Sequence, residues 1–284
     1  MATPESSAVL LLSHGSRDPR AQYVVGKLVS AVAAAGVTVR AAHLSFATPS
    51  PAVALRTLAA EGFTSVRVVP LLFTPGYHLT HDVPSTIVAS GVIESVSVSV
   101  APPLLLGGRR QRDLLLIALS ECLVQAGVDE EVDALVLASA GSSSSTARQH
   151  IMSLAHDLER ARGIPVMPAF ASAAAPSPTQ ALEALCDKGA LRPAVASLFV
   201  APGKLTDSVA AACGGLQVTD PLGVSPAFVE LLVGQARMPC VDAVPAAGHH
   251  PPKASTPPWK TPFRRGDNKA GSVETSNAHT RYEG

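Results

Sequence analysis

Short apolar runs alternate with amphipathic stretches through the first third of the chain. The apolar runs predict strands at residues 9–12, 37–45, 66–73 and 96–100. Apolar positions at helical spacing, bounded by Pro or Gly, predict helices at residues 19–35, 50–60 and 83–89. The third strand is apolar at almost every position, as burial on both faces of a parallel sheet requires. This alternation predicts an α/β fold, in which helices cover both faces of a parallel sheet.

Landmarks of the first half recur in the second half, at an offset of 126 or 127 residues. The pairs are 13–16 with 139–142, 45–51 with 172–178, and 71–76 with 198–203. Three landmarks at one spacing indicate a duplication. We therefore predict a first module at residues 1–128 and a second, degenerate module at 129–245. Residues 246–284 are rich in proline and basic residues and have no hydrophobic period, so we predict a disordered tail there.

The composition argues against several classes of protein. Lys and Arg together number 22, as do Asp and Glu, so no excess of positive charge favours nucleic acid as a partner. The longest uncharged stretch, 163–182, contains four prolines and is a poor membrane-spanning helix. The N-terminus lacks the basic region of a signal peptide, and the four cysteines form no C-x-x-C pair. We therefore expect a reduced, cytoplasmic protein without a membrane or nucleic-acid partner.

His14 directly follows the first predicted strand, within the sequence SHGSRDP. Ligands of parallel α/β sheets bind at the carboxyl ends of the strands, so this position favours a functional role for the imidazole. Gly15 relieves crowding at the turn into the helix, and either Ser16 or Asp18 can cap that helix. The N–H groups at the helix start, with Arg17 beside them, predict a corner that binds anions.

His78 follows the third predicted strand, within the sequence GYHLTHDVP. The first and third strands of such sheets are usually neighbours, so we expect the imidazoles of His14 and His78 to converge. A neutral imidazole binds Fe, Co, Ni or Zn, and it is also a base near pH 7. His43 and Ser45 lie two residues apart on the second predicted strand, so we expect both side chains on one face, directed toward the same site.

The second copy of the repeat lacks both histidines. Ala140 occupies the position of His14, and Lys204 lies in the segment that matches residues 77–78, with one residue deleted. An alanine and an ammonium group cannot build a metal or base site. We therefore predict that the first module performs the chemistry and that the second is a wall of the cleft or a scaffold.

Four motifs, taken in order, resemble those of the sirohydrochlorin chelatases, which are class II chelatases that insert cobalt or ferrous iron into sirohydrochlorin. The motifs are SHGSRDP at 13–19, ATPS at 47–50, VPLLF at 69–73 and GYHLTHDVP at 76–84. The resemblance covers residues 8–107 and extends in weaker form to about residue 235. It implies a chelatase-like fold whose active site lies in a cleft between the two modules. It also implies that His14 and His78 bind the incoming metal and help to remove the pyrrole protons.

The resemblance and the chemistry of the substrate give further candidate site residues. Candidate substrate-binding residues are Ser13, Gly15, Ser16, Arg17, His43, Ser45, Gly76 and Tyr77. The substrate carries several carboxylates, for which Arg17, Arg20 and the pair Arg109–Arg110 are candidate contacts, although that pair equally suits plain solvated charges. Many family members carry an acidic metal-site residue where this chain has Ser45. His43, on the same predicted strand face, is a candidate replacement.

The expected reaction suits a pair of histidines. Metal insertion into a tetrapyrrole strips two N–H protons and delivers a divalent ion, and two imidazoles can hold that ion weakly and then accept the protons. The protein site should stay incomplete, since a saturated cage would not release its metal. No organic cofactor is expected, and Fe²⁺ or Co²⁺ is the metal substrate. The folded body has no His-rich run for handling cobalt, and this absence favours iron as the metal. The expected pathway is siroheme or cobalamin synthesis.

Other functions fit the motifs less well. A histidine phosphatase carries Arg before its nucleophilic histidine, whereas Ser13 precedes His14 here, and no G-x-G-x-x-G turn for a dinucleotide follows either first strand. The alternative that stays open is a non-catalytic carrier, which binds a metal or a tetrapyrrole and hands it on. Because two fused modules can close a cleft within one chain, we expect a monomer.

Overall fold

Strands and helices alternate through the first half of the computed structural model, which describes residues 6–76, 83–128, 131–238 and the backbone of 243–244. The elements are β1 (Ser7–Ser13), α1 (Pro19–Ala34), β2 (Val39–His43), α2 (Pro51–Ala60), β3 (Ser65–Pro70), α3 (Val83–Ala89), β4 (Ser97–Val100) and α4 (Arg109–Gln125). Each predicted strand and helix of this half is present. The largest differences are at the carboxyl ends of β2 and β3. These strands end at His43 and Pro70, before the predicted ends at residues 45 and 73, because the chain turns away from the sheet at both places.

In its described residues, the second half follows the same order through its third helix, has no strand at the place of β4, and ends with a helix and a short strand. Its elements are β5 (Ala134–Ser139), α5 (Ser145–Arg162), β6 (Val166–Phe170), α6 (Pro178–Cys186), β7 (Pro193–Leu198), α7 (Lys204–Ala212), α8 (Pro226–Arg237) and β8 (Ala243–Val244). Among the described residues, no helix combines the length and the apolar character that crossing a bilayer requires.

The strands form two sheets, in which β1 and β5 are interior strands with a neighbour on each side. The first sheet has the order β2-β1-β3-β4-β8, and the second has the order β6-β5-β7. β1 to β4 are mutually parallel, as are β5 to β7, which confirms the predicted parallel sheets and the pairing of the first and third strands. β8 differs, because it returns from the end of the second half and pairs antiparallel with β4.

Alternate residues of β1 and β5 face two different cores. Leu11 of β1 packs in a core that residues of both halves share, whereas Leu12 packs in an outer core of the first half alone. In β5, Leu137 faces the shared core and Val136 faces the outer core of the second half. This alternation is what a strand with both faces buried shows, and it explains why β1 and β5 are apolar at consecutive positions.

The two halves exchange their last helices. α4 follows the first sheet but packs against β7 of the second, and α8 follows the second sheet but packs against β3 and α1 of the first. On β3, the buried Arg67 donates from Nε to the carbonyl oxygen of Gln235 on α8 at 2.7 Å. Gln235 in turn donates from Nε2 to the carbonyl oxygen of Pro102 at 3.1 Å. The module boundaries at residues 128 and 245 stay predictions, and the predicted tail at 246–284 lies outside the described residues.

Candidate active site

A cleft of about 1330 Å³ opens at the carboxyl ends of both sheets. The first half contributes the turn at 13–18, together with His43, Phe46 and the loop 71–74. The second half contributes the turn at 139–142, Arg148 and residues 198–208. The cleft therefore lies between the two halves, and the second half is one of its walls, as the sequence predicts.

His14 is the first residue after β1 and is exposed in the cleft. Its carbonyl oxygen accepts a hydrogen bond from the backbone N–H of Ser45 at 2.9 Å, which ties the end of β1 to the loop after β2. The imidazole meets the ring of Phe46 edge to face, with ring centroids 6.3 Å apart and an interplanar angle of 87°. His14 is thus held at the open end of the sheet by both its backbone and its side chain.

Gly15 makes the close approach of two loops possible. Its φ is +90°, and a Cβ atom built on it would lie 1.7 Å from the carbonyl oxygen of Ser45. The equivalent Gly141 has a φ of +93°, and its Cβ would lie 1.9 Å from the carbonyl oxygen of Ser172. The crowding expected at this turn is therefore present in both halves, and it comes from the neighbouring loop.

The start of α1 is capped by Asp18. Its Oδ1 accepts a hydrogen bond from the backbone N–H of Arg20 at 2.9 Å, and the Ser16 hydroxyl accepts one from the N–H of Asp18 at 3.0 Å. The guanidinium of Arg20 also donates to the Asp18 carboxylate, and these hydrogen bonds lower the pKa of that carboxyl. The same guanidinium binds Asp207 of α7 at 2.6 Å, so an ion pair joins the two walls.

His43 ends β2 and lies opposite Ser13 in the parallel register. Only 7% of the residue is exposed, and its Nδ1 is hydrogen-bonded to the Ser13 hydroxyl at 2.7 Å. Burial lowers the pKa of the imidazole, so His43 is neutral at pH 7. The structure therefore brings a second histidine to the edge of the cleft, although its Nδ1 is committed to a partner inside the fold.

The prediction that Ser45 shares a strand face with His43 is wrong. β2 ends at His43, and the chain then turns, with Phe46 in the left-handed region at a φ of 62°. Ser45 contributes its backbone instead, donating its N–H to His14 and directing its carbonyl oxygen at Gly15. A turn of this kind has no signal in a run of apolar and small residues, so the strand was expected to continue.

Phe46 is a cleft residue that the sequence pattern did not single out. Its side chain lines the cleft and is 61% exposed, and the guanidinium carbon of Arg17 lies 5.2 Å from its ring centroid. A left-handed conformation costs a bulky residue about 1–3 kcal/mol. One signal was available: the repeat aligns Phe46 with Ala173, so the aromatic ring occurs only in the copy that carries the histidine.

Other cationic side chains divide between the cleft and the surface. Lys204 at the start of α7 lines the cleft, as does Arg148, which donates to the carbonyl oxygens of Ser142 and Ser143 at 2.8 and 2.9 Å. Arg109 and Arg110 begin α4, are strongly exposed and form ion pairs with Asp113 and Glu230. They are absent from the described lining of the cleft, so the solvated-charge interpretation fits them and the substrate contact does not.

The second predicted histidine lies outside the described residues. Tyr77 and His78 fall in the gap at 77–82, and Gly76 is the last described residue before it. The N–H of Leu71 donates to the carbonyl oxygen of Leu12 at 2.8 Å, so the chain leaves β3 directly beside the end of β1. In the described ranges, His, Cys, Asp and Glu form no group of three that could hold a metal. The pairing of His14 with His78 therefore stays a prediction.

The burial of His43 predicts a loss of stability in mild acid. Because the folded imidazole has a lowered pKa, the unfolded chain binds a proton near its ordinary pKa of 6.5 while the folded chain does not. The free energy of unfolding should therefore fall as the pH drops below about 6.5, and level off below the folded pKa. Urea unfolding at about pH 8 and about pH 5 measures this.

The variant His43→Asn is the control for that measurement. An asparagine amide can still pair with the Ser13 hydroxyl but does not titrate, so the variant should lose less stability than the wild type over the same range. The pKa of His150 is also lowered by burial, but its contribution is common to both proteins and cancels in the difference. Equal losses in the two proteins would contradict the prediction.

Comparison with known proteins supports the sequence motifs and the fold independently. Residues 8–107 and 134–238 match the family model CbiX. A sirohydrochlorin cobaltochelatase from Methanosarcina acetivorans is 30% identical over 82 residues, which is 28% of this chain. The matched part covers 63% of that relative, so the chain matches less than two thirds of its length.

Several solved structures share the fold. SirB from Bacillus subtilis with Fe³⁺ has a TM-score of 0.69 at 20% identity, covering 82% of this chain and 94% of the other. The sirohydrochlorin chelatase SirB from Bacillus subtilis subspecies spizizenii, in complex with cobalt, has a TM-score of 0.64 at 18% identity with the same coverage. CbiX, described as the terminal enzyme for siroheme biosynthesis in denitrifying bacteria, has a TM-score of 0.57 at 18% identity, covering 80% and 97%. These likenesses confirm the predicted chelatase-like α/β fold.

Proposed function

From the premise that this chain belongs to the CbiX family, we propose that it is a chelatase that inserts a divalent metal ion into sirohydrochlorin. The observation that carries the proposal is the exposed His14 at the end of β1, inside a cleft that both halves line. The equivalent position in the second half is Ala140, so only one wall of the cleft carries this imidazole. A cleft with this imidazole on one wall suits a reaction at one face of a flat ligand.

The cleft has the size and the chemistry that a tetrapyrrole needs. Ligand pockets commonly have volumes of roughly 300–1,000 Å³, and this cleft is larger at about 1330 Å³. Its lining includes the apolar residues Leu71, Leu72 and Phe73, which suit a flat macrocycle. Arg17 and Lys204 line it from opposite halves, and both can bind carboxylates at the rim of the substrate.

The proposed reaction is an exchange of two protons for one ion. The ion M²⁺ leaves its ligands on the protein and binds the ring nitrogens, while the two N–H protons of the macrocycle leave, so no electron is transferred. His14, with His78 as its predicted partner, holds the ion weakly before insertion and accepts a proton afterwards. An imidazole does both, because the lone pair that binds the metal is also the one that binds the proton.

We propose ferrous iron as the preferred metal and cobalt as its competitor. Imidazole suits both ions, and raw affinity does not decide selectivity, so the preference for iron rests on the absence of a His-rich run in the folded body. The Methanosarcina relative is a cobaltochelatase, and structures of SirB contain Fe³⁺ or cobalt. We propose a monomer, because both described walls of the cleft come from one chain. A cytoplasmic location goes with this biosynthetic role and stays a prediction.

Anaerobic metallation of sirohydrochlorin, followed by absorbance with Fe²⁺ and Co²⁺ in parallel, tests the proposal. We expect the protein to accelerate insertion of both ions over the rate without protein, and the faster ion indicates the pathway. A carrier would bind sirohydrochlorin or the ion without accelerating insertion. That result would favour the alternative function, a non-catalytic protein that binds a metal or tetrapyrrole and hands it on.

A further inference from the structure

Phe46 is a large exposed apolar side chain in the cleft, and it contacts the imidazole on which the proposed function depends. We propose that Phe46 is a positioning residue, whose ring sets the orientation of the His14 imidazole and holds the Arg17 guanidinium beside it. One side chain would then place both the group that handles the metal and a contact for a substrate carboxylate. This inference rests on the proposed function and names a residue that sets the orientation of its side chains.

Two contacts of the Phe46 ring carry the proposal. The His14 and Phe46 centroids lie 6.3 Å apart at 87°, which is an edge-to-face pair within the roughly 4.5–7 Å range of favourable aromatic contacts. The guanidinium carbon of Arg17 lies 5.2 Å from the same centroid, within the roughly 6 Å limit for a cation–π contact. One aromatic ring therefore contacts two polar side chains of the turn at 13–18, His14 and Arg17.

Backbone hydrogen bonds fix the loop that carries Phe46 relative to His14. The residue before Phe46 donates its N–H to the carbonyl oxygen of His14 at 2.9 Å, and Ala47 donates its N–H to the carbonyl oxygen of Ser45 at 2.8 Å. The φ of 62° at Phe46 is a conformation that bulky side chains avoid, so the loop directs an aromatic ring into the cleft against local preference. Such outliers concentrate at functional sites.

The second half of the chain shows what this backbone does without an aromatic ring. Ala173 has a φ of 59°, and the residue before it donates its N–H to the carbonyl oxygen of Ala140 at 3.0 Å. The loop conformation is therefore common to both copies and does not depend on a ring. The copy with the imidazole also has the phenyl ring, and the copy with alanine in place of the imidazole has alanine in place of the ring. The ring accompanies the histidine and not the fold.

Three substitutions at residue 46 test the proposal. Phe46→Ala should fold, because Ala173 adopts the same backbone conformation. We expect kcat for metal insertion to fall about tenfold in Phe46→Ala and in Phe46→Leu, and to stay within about twofold of the wild type in Phe46→Tyr, whose ring makes the same contacts. Tyr23→Ala is the matched control, since Tyr23 is also an exposed aromatic residue in a cation–π contact but lies outside the described cleft lining.

Titration with Co²⁺ alone, followed by absorbance, gives a readout that does not need the substrate. An edge-to-face aromatic contact is worth about two- to tenfold in an equilibrium constant, so we expect the Co²⁺ affinity to fall by about that factor in Phe46→Ala and to recover in Phe46→Tyr. Unchanged kcat and unchanged Co²⁺ affinity in Phe46→Ala would overturn the inference, and so would full recovery in Phe46→Leu, because bulk alone would then suffice. If the wild type fails to accelerate insertion, the proposed function fails, while the Co²⁺ titrations still decide the role of Phe46.

Discussion

Replacement of His14 by alanine is expected to slow metal insertion by about 10²- to 10⁴-fold, the range found when a positioned acid–base group is removed. The imidazole is exposed in the cleft, at the carboxyl end of β1, so its loss removes the proposed metal ligand and proton acceptor without removing core contacts. Initial rates of anaerobic insertion at saturating sirohydrochlorin measure the effect. His156→Ala, which removes an exposed histidine of α5, should leave the rate unchanged.

The fold itself should tolerate the change at His14. The equivalent residue of the second half is Ala140, which follows β5 and accepts the same loop hydrogen bond, from the N–H of Ser172 at 3.0 Å. The free energy of unfolding of His14→Ala should therefore stay within about 0.5 kcal/mol of the wild type. A variant that loses activity only in proportion to folded protein would remove His14 from the mechanism.

His78→Ala completes this comparison. The resemblance of its motif implies the same role as for His14, so the same loss of rate is expected. If the two imidazoles act as a unit, the double variant should be little slower than either single variant, because removal of one partner already disables the other. Additive losses in the double variant would show that the two residues act in separate steps.

Replacement of Gly15 by alanine is expected to lower the free energy of unfolding by about 3 kcal/mol or more, which corresponds to a Tm lower by roughly 10 °C for a fold of this size. Two effects combine. The φ of +90° disfavours any residue with a Cβ, and that Cβ would lie 1.7 Å from the Ser45 carbonyl oxygen, so the backbone of a whole loop must shift. Urea unfolding and calorimetry measure the change.

Gly36→Ala separates these two effects. Gly36 has a φ of +80°, and nothing lies within 4 Å of a Cβ built there, so only the conformational cost of about 1–2 kcal/mol applies. Equal destabilisation in Gly15→Ala and Gly36→Ala would contradict the crowding at Gly15. Gly141→Ala should destabilise as much as Gly15→Ala, but it displaces a loop on the wall without the histidine, so its folded fraction should keep more activity.

Local sequence patterns were sufficient for most of the fold. Apolar runs identified the strands, Pro and Gly marked the helix ends, and the spacing of three landmarks revealed the repeat, because each of these signals reports a local conformational preference. The exchange of α4 and α8 had no such signal. An amphipathic face shows that a helix is buried, but not which of two similar sheets buries it. The pairing of β8 with β4 was also unpredictable, because a strand of two residues has no periodic pattern.

Site residues that follow from a local pattern were predictable, and those that depend on an irregular turn or on their surroundings were not. His14 was predictable because its position follows from the end of an apolar strand and its motif. Phe46 and the backbone role of Ser45 depend on a left-handed turn, which apolar and small residues do not announce. Arg109 and Arg110 were candidates by charge alone, and their surroundings, Asp113 and Glu230 on exposed helix faces, decided against them.

The shared core between the two sheets has a consequence for how a ligand enters and leaves. Domains that close on a ligand rotate about a hinge of a few residues, with a small interface between the moving bodies. Here α4 and α8 cross from one sheet to the other, and their buried side chains belong to one continuous core. A rigid-body opening would expose these buried side chains to water. We therefore expect the proposed macrocycle to enter a preformed slot through its mouth, where the ion pair of Arg20 and Asp207 spans the two walls.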